Sequence, residues 1–344
     1  MQNLKTPLAI ISLLLAAPML TPAYAAPVKK NLCVFDIVGT QGDVFNLMKD
    51  YRVAAVGWGV DFNLTAYTDE KIAAEDFKAK RCDAVMITGT RNREFNSFTG
   101  TIDSIGSLPT NDHLKGLLQT LAKPEASKLM INGNYEVAGV LPLGIAYLFE
   151  RDRTVNNVAK LSGKRIGVLE FDRAAADMVN QVGAAQVNTT MTNFAGKFNN
   201  GSVDAVGAPA VAFRALELYK GLNPANVDVP PGGIVRFPIE QFTAQIVIYK
   251  DSFPEGFGQK SREYTLSQLD NSFAISERAT NSIDNKYWID LPEKDKVGYM
   301  EMFRQARLSQ KQKGEYDGKM LSLMYKVRCK KEPANPECSS TDHE

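Results

Sequence analysis

A nine-residue pattern occurs twice in the chain and constrains its fold more than any other feature. Phe77–Val85 reads FKAKRCDAV and Phe198–Val206 reads FNNGSVDAV, so Phe and Asp-Ala-Val have the same spacing in both copies. Each copy predicts the end of a helix, a tight turn and the start of a buried strand. A helix-turn-strand unit used twice indicates an α/β chain with two similar lobes.

Small or hydroxylated residues follow each copy of the pattern. Thr88 and Thr90 come after the first copy, and Pro209 comes after the second. Open α/β sheets bind ligands just beyond the carboxyl ends of their strands. We therefore expect the two strand ends to face each other across a ligand-binding cleft.

Length and charge narrow the functional class. A chain of 344 residues exceeds the length that one hydrophobic core usually serves, which also favours two lobes. The 40 Lys and Arg side chains balance 39 Asp and Glu side chains, so electrostatics gives little support to nucleic-acid binding.

The first 25 residues have the order of segments that defines a secretory signal peptide. Lys5 precedes an apolar run over residues 8–20, which Pro18 interrupts, and Ala23-Tyr24-Ala25 is a small-x-small cleavage site. We expect cleavage after Ala25 and export of a soluble mature chain. A retained signal anchor is the alternative. No later stretch of the sequence approaches the length of a membrane span.

Four cysteines in an exported chain predict at most two disulfides, with three possible pairings. Cys33 opens the first predicted strand and Cys82 precedes the third, and neighbouring strands of a doubly wound sheet bring their amino ends close. Cys329 and Cys338 flank a proline-rich loop. We favour 33–82 together with 329–338. Free buried thiols are the alternative, and a metal site is disfavoured because the chain has only two His.

Apolar runs and their breaks predict the remaining elements. Strands are predicted over residues 31–38, 61–67, 165–169 and 241–249, a hinge strand over 132–147, and helices over 44–56, 71–80, 174–181, 211–220, 266–276, 293–308 and 318–327. This order divides the mature chain into lobe 1, residues 26–137, and lobe 2, residues 138–249. Residues 250–344 return to lobe 1 as C-terminal helices.

Side chains at the predicted strand ends and helix starts are candidate ligand contacts. Backbone amides at a helix start attract oxygen atoms, which favours Thr40 and Gln41, and Arg91 is placed to fork onto a carboxylate. The other candidates belong to the same predicted cleft and are Tyr67, Glu170, Asp172, Arg173 and Asn193, with Trp58 and Phe171 expected to stack on a solute. For each, a turn or core residue is the alternative.

The order of short motifs in the second half of the chain resembles that of a known family. The motifs are Leu161–Ile166, Gly183-Ala184, Gly201–Ala205, Pro209 and Trp288–Pro292. They resemble periplasmic solute-binding proteins of tripartite ATP-independent transporters. The resemblance implies a two-lobed type II binding-protein fold with hinge strands, without a cofactor. It implies capture of a small polar or anionic solute for a membrane transporter.

Three positions depart from that family's pattern. Gly167 stands where the family has its ligand-clamping arginine, and Gly207-Ala208 replace an acidic and amide pair before Pro209. Arg173, at the next helix start, is a candidate replacement for the arginine.

Two alternative functions remain open at this point. A closer resemblance, to exported solute-binding-like chains labelled as auxiliary proteins of RND-type multidrug efflux, suggests an efflux component. An enzyme on the same scaffold is disfavoured, because neither His113 nor His343 has a catalytic neighbourhood and the common catalytic motifs are absent, so we predict no catalytic residues.

Overall fold

We describe the protein from a computed structural model, in which residues 26–339 and residue 344 are described. The predicted signal peptide, residues 1–25, and His343 lie outside the described residues. Within that described part, no helix is both long and apolar enough to cross a lipid bilayer.

The strands of the described residues form one mixed sheet. They are β1 Val28–Phe35, β2 Val60–Tyr67, β3 Ala84–Thr88, β4 Ile131–Asn132, β5 Tyr135–Glu150, β6 Arg165–Leu169, β7 Ala185–Thr189, β8 Ala205–Pro209, β9 Gly233–Tyr249 and β10 Trp288–Ile289. The strand order is β2-β1-β3-β9-β5-β8-β6-β7, with β4 beside β5 and β10 beside β9.

Helices cover both faces of this sheet. They are α1 Asp43–Val56, α2 Glu70–Lys78, α3 Gly89–Asn92, α4 Ser97–Gly100, α5 Asn111–Leu121, α6 Arg173–Gln181, α7 Phe194–Asn199, α8 Ala212–Ala215, α9 Tyr219–Leu222, α10 Phe257–Ser267, α11 Leu269–Asn281, α12 Glu293–Lys313 and α13 Gly318–Lys331. Because both faces are covered, strands such as β3 are buried throughout and read as continuous apolar runs.

Two long strands connect the two parallel parts of the sheet. We call β1–β3 the first half and β6–β8 the second half. β5 and β9 pair antiparallel between them, and the register shifts at Val137/Gly139, Pro142/Gly144 and Ala146/Leu148. Gly and Pro in these strands fit the irregular pairing that we expected of hinge strands.

The repeated pattern has the same structure in both halves. Phe77 and Phe198 are fully buried. Asp83 accepts a hydrogen bond from the backbone N of Asn31 at 2.8 Å, and Asp204 accepts one from the backbone N of Arg165 at 2.8 Å. In each half, therefore, the repeated Asp fastens the amino end of its strand to the neighbouring parallel strand.

Both predicted disulfides are confirmed. Cys33 is bonded to Cys82, and Cys329 is bonded to Cys338. The first bond joins the carboxyl-terminal half of β1, which starts at Val28 and so before the predicted strand, to Cys82, which precedes β3. These strands are neighbours, with Cys33 opposite Val85.

Two helix predictions differ from the structure. Residues 211–220 form two short helices, α8 and α9, because Glu217 adopts a left-handed backbone with φ 54° and ends the helical path. The segment around 266–276 is divided between α10 and α11, which meet at Gln268.

The predicted boundary between lobe 1 and lobe 2, at residues 137 and 138, stays a prediction. Helices α10 and α11 pack on β5, while α12 packs on α6 of the second half. The aromatic residue Trp288 packs in the core of the second half, with Tyr147 at a ring distance of 5.1 Å.

Candidate functional site

A cavity of about 240 Å³ is lined by residues from both halves of the sheet. Thr88 and Thr90 enter it from the end of β3, Leu169 and Phe171 from the end of β6, and Pro209 from the end of β8. The two copies of the repeated pattern therefore lead to the same cavity. Helix α11 closes it with Ser272, Ile275, Ser276 and Ala279.

Apolar side chains make up most of the cavity wall. They are Phe35, Ile37, Val38, Val44, Leu47, Pro142, Leu143, Leu169, Phe171, Met191, Phe194, Pro209, Val211, Ala212, Leu216, Phe242, Ile275 and Ala279. The polar side chains are Asp36, Gln41, Asp43, Glu70, Thr88, Thr90, Asp172, Ser272 and Ser276. Among the described residues, no Lys, Arg or His side chain lines this cavity.

Asp36 occupies the space at the start of α1. One carboxylate oxygen accepts a hydrogen bond from Val38 N at 2.9 Å, and the other accepts one from Phe45 N at 3.0 Å. Gly42 permits this approach, because a Cβ atom there would lie 1.9 Å from Asp36 Oδ1. Burial raises the pKa of Asp36, and the backbone amides oppose that rise.

Glu70 performs a similar role at the end of β3. This fully buried carboxylate accepts a hydrogen bond from Thr88 N at 2.6 Å. Its other oxygen, Oε2, has no hydrogen bond and lies 3.8 Å from Arg91 Nε. Burial raises the pKa of Glu70, and the charge of Arg91 opposes that rise.

Asp172 joins the start of α6 to the first half of the sheet. Its Oδ1 accepts hydrogen bonds from Ala175 N at 3.2 Å and from Arg93 Nη1 at 3.3 Å. Arg93 Nη2 also donates to the carbonyl oxygen of Asp103 at 2.7 Å. Burial raises the pKa of the Asp103 carboxyl to about 7. Arg93 therefore contacts two acidic residues, Asp172 and Asp103.

Three consecutive residues after β6 contact the first half of the sheet. Glu170 Oε1 lies 3.3 Å from Lys71 Nζ, and Asp172 Oδ1 lies 3.3 Å from Arg93 Nη1. Between them, the Arg91 guanidinium carbon lies 3.5 Å from the centre of the Phe171 ring, which is cation–π geometry. The turn at residues 170–172 thus holds the two halves together on one side of the cavity.

Three residues of the cavity wall carry polar atoms without hydrogen-bond partners. The hydroxyls of Thr90 and Ser272 are buried and make no hydrogen bond, as is true of Glu70 Oε2. Buried polar groups are normally hydrogen-bonded, so these atoms are available to a bound molecule or to water.

The cavity brings together part of the predicted ligand set. Gln41, Thr88, Thr90, Phe171, Asp172 and Pro209 line it. Arg91 lies behind Phe171, and Thr40 is exposed beside Gln41.

The other predicted contacts lie elsewhere for local reasons. Trp58 packs in the aromatic core, 5.5 Å from the Tyr264 ring, and the Tyr67 hydroxyl donates to Asp76 at 2.7 Å. Arg173 is exposed and lies 3.0 Å from Glu315, so it does not replace the family's clamping arginine in this arrangement. Asn193 accepts a hydrogen bond from Thr190 N at 2.9 Å in the turn before α7.

Sequence reasoning missed several residues of the site. Asp36 falls within the strand predicted over residues 31–38, Glu70 directly precedes the helix predicted over 71–80, and Ser272 falls within the helix predicted over 266–276. None of the three is among the predicted ligand contacts. Asp36 carried the clearest signal, because a carboxylate in a buried strand just before a Gly-rich helix start is well placed to cap that helix. Among the described residues, no group of three His, Cys, Asp or Glu side chains is arranged to hold a metal ion.

Comparison with known sequences identifies the family. The family model described as solute-binding protein AdeT 1/2 matches residues 52–343. The chain belongs to this family of solute-binding proteins. The probable solute-binding protein AdeT1 of Acinetobacter baumannii is 45% identical over 309 residues, which cover 90% of this chain and 100% of that protein. The probable solute-binding protein AdeT2 of the same species is 30% identical over 242 residues, covering 70% and 98%.

Solved structures of similar fold are binding proteins of TRAP transporters. A periplasmic solute-binding protein from Desulfovibrio salexigens with bound orotic acid has a TM-score of 0.71 at 11% identity, covering 88% of this solute-binding protein and 99% of that chain. The ectoine-binding protein of the Halomonas elongata TeaABC transporter has a TM-score of 0.66 at 12% identity, covering 88% and 98%. These matches confirm the two-lobed α/β fold that the sequence predicts.

Proposed function

We propose that this protein captures a small organic solute in the cavity between the two halves of its sheet, in the periplasm, and delivers it to a membrane transporter. One observation carries the proposal: strand ends from both halves converge on one cavity of about 240 Å³. Ligand sites of open α/β sheets lie at such strand ends, and a cavity shared by two halves closes when they approach.

The contacts between the halves support a clamp. The turn after β6 meets the first half through Lys71, Arg91 and Arg93, whereas β5 and β9 are the continuous connection beside the cavity. Rotation about these two strands would separate the turn from its partners and open the cavity. A membrane partner that recognises the closed form would then receive only the loaded protein.

The partner and the location follow from the same proposal. The structural neighbours are named as periplasmic proteins of TRAP transporters, and one is named as the binding component of TeaABC. The predicted signal peptide would carry the chain to the periplasm.

The test is a binding screen with a variant that fills the cavity. The mature protein is screened by native mass spectrometry and thermal shift against organic acids, amines, amino acids and sugars. Ile275→Trp places an indole in the cavity and is expected to abolish binding of any hit. Ile72→Trp, at an exposed position on α2, is the matched control and should bind normally. A hit whose affinity is the same in Ile275→Trp would contradict the assignment of the cavity.

The same purified protein separates the alternatives. Chemical turnover of a hit would favour an enzyme on this scaffold. Recovery of an efflux pump in a pull-down without added solute would favour an efflux component.

A further inference from the structure

The cavity of the proposed function has a definite charge preference. In binding sites of open α/β sheets, free backbone amides at helix starts and strand ends are the groups that receive oxyanions. Here, Asp36 already accepts hydrogen bonds from Val38 N and Phe45 N at the start of α1, at 2.9 and 3.0 Å. An anionic solute at this place would have to displace a carboxylate that belongs to the chain.

The same arrangement is present at two other edges of the cavity. Glu70 accepts the hydrogen bond of Thr88 N after β3, and Asp172 accepts that of Ala175 N at the start of α6. Three separate amide sites that could bind an anion are therefore filled by internal carboxylates. Since like charges repel in a partly desolvated site, each filled site disfavours a second carboxylate nearby.

The cationic groups near the cavity do not reverse this preference. Arg91 and Arg93 lie behind the wall, where each is placed against an acidic residue, Glu70 or Asp172. Asp43, at the first position of α1, also lines the cavity. No basic side chain of the described residues faces Asp36 or Asp43 across the cavity.

A second, independent observation indicates where a ligand's polar group would lie. Glu70, Thr90 and Ser272 line the cavity, and Glu70 Oε2 and the two hydroxyls are buried and make no hydrogen bond. Carboxylate and hydroxyl oxygens accept hydrogen bonds from an ammonium group. Rings of Phe35, Phe194 and Phe242 also line the wall, and aromatic rings attract both apolar groups and cations.

We propose that the solute of this cavity is an amphipathic organic cation, with an apolar body against the aromatic wall and one amine group near Glu70 and Asp43. This inference rests on the proposed function and adds the class of solute to it. It differs from the polar or anionic guest that the sequence resemblance implies.

Three probes with the same apolar body test the charge preference by isothermal titration calorimetry. They are 4-phenylbutylamine, 4-phenylbutan-1-ol and 4-phenylbutyrate, which are cationic, neutral and anionic at neutral pH. We expect the amine to bind about tenfold more tightly than the alcohol, because a single charge contact in a partly buried site supplies that much. The butyrate should bind more weakly than the alcohol.

Two substitutions locate the charge effect. Glu70→Gln keeps a side-chain oxygen that can accept the hydrogen bond of Thr88 N. Asp43→Asn changes an exposed residue. If the buried Glu70→Gln variant fails to fold, Asp43→Asn still tests the charge effect. Each should weaken binding of the amine severalfold and leave the alcohol unchanged. Asp251→Asn, whose side chain is 75% exposed and lies outside the cavity lining, is the control and should bind all three probes as the wild type does.

The outcomes separate this inference from the proposed function. Butyrate binding equal to or tighter than that of the amine would overturn the charge preference. The charge preference is also overturned if none of the probes binds while the screen yields an anionic solute whose binding is lost in Ile275→Trp. In that case the proposed function stands. If no solute binds in either experiment, both proposals fall.

Discussion

Asp36 and Glu150 are both buried carboxylates, but their surroundings differ. Asp36 is solvated by backbone amides at the start of α1. Glu150, at the end of β5, is 2% exposed, and neither of its carboxylate oxygens has a hydrogen-bond partner. Burial, with a smaller contribution from the charge of Asp152, raises the pKa of Glu150 to about 9 from an ordinary 4.5. The chain therefore uses one buried acid as a helix cap and keeps the other protonated at neutral pH.

Glu150 should make the protein less stable as the pH rises. Between pH 4.5 and pH 9 the folded protein retains a proton that the unfolded chain has released. The contribution of Glu150 to the free energy of unfolding is thus greatest below pH 4.5. It falls by about 1.4 kcal/mol per pH unit until the pH reaches the pKa of Glu150 in the folded protein. Glu150→Gln should remove this slope in urea unfolding measured at several pH values.

The control for this prediction is Glu293→Gln. The Glu293 side chain is 86% exposed, so its replacement should leave the pH dependence of the wild type in place. Equal slopes in wild type and Glu150→Gln would contradict the assignment of a protonated Glu150.

At the scale of elements, the two disulfides tie together segments of very different length. Cys33–Cys82 joins residues 49 positions apart and lies between neighbouring strands, whereas Cys329–Cys338 closes a loop with a separation of 9 at the end of α13. The loop-closure entropy that a disulfide removes from the unfolded chain grows with loop length. The strand-joining bond should therefore contribute more to stability.

Removal of each disulfide measures this difference. We expect Cys33→Ala with Cys82→Ala to lower the free energy of unfolding by about 4 kcal/mol, and Cys329→Ala with Cys338→Ala by about 2.5 kcal/mol, from the chain-entropy relation. Urea unfolding without reductant gives both values, and the second pair is the matched control for the first. The reverse order would show that loop length does not govern these two bonds.

The turn after β6 is the element that links local structure to the proposed clamp. Its three consecutive contacts, from Glu170, Phe171 and Asp172, all reach the first half of the sheet. The salt bridge of Glu170 is exposed and contributes little, whereas Phe171 is half-buried and carries both the Arg91 contact and part of the cavity wall. Phe171 therefore links the contact between the two halves directly to the cavity wall.

For the whole molecule, loss of the Phe171 ring should favour the open cavity. We expect Phe171→Ala to increase amide hydrogen exchange on both sides of the contact together, in residues 90–93 and 172–175, because opening exposes both sides at once. Hydrogen exchange followed by mass spectrometry measures the two segments in one experiment.

Phe237→Ala is the control for this experiment. Phe237 is also half-buried, but it packs against Tyr299 and Phe303 of α12, at ring distances of 5.6 and 5.9 Å. Its loss should increase exchange around α12 only. If Phe171→Ala increased exchange in only one of the segments 90–93 and 172–175, the result would indicate local unfolding of that segment and would contradict opening of the cavity.

Patterns of neighbouring residues predicted much of the fold. The predictions of strand β2, of helix α2 and of the repeated helix-turn-strand units are confirmed, because apolar periodicity and helix-start signals act within a few residues. Residues 211–220 were predicted as one helix and form two, since the left-handed conformation of Glu217 has no reliable signal in a sequence of helix-favouring residues.

The candidate site was less predictable than the fold. Thr88, Thr90 and Pro209 follow from the repeat, and they line the cavity. Glu70 did not follow, because its role depends on Thr88 N, which lies 18 residues away in the chain. Arg91 was predicted to meet a ligand carboxylate, whereas it is stacked on Phe171 from the other half of the sheet.

The sequence by itself determined the two-lobed α/β plan, the pairing of the four cysteines and the strand ends that line the cavity, because each depends on a local pattern or on the order of elements along the chain. The charge of the cavity was decided only by tertiary structure. Asp36, Glu70 and Asp172 come from separate segments, and whether a carboxylate caps an amide or faces a solute depends on how β1, α2 and α6 are brought to a common edge.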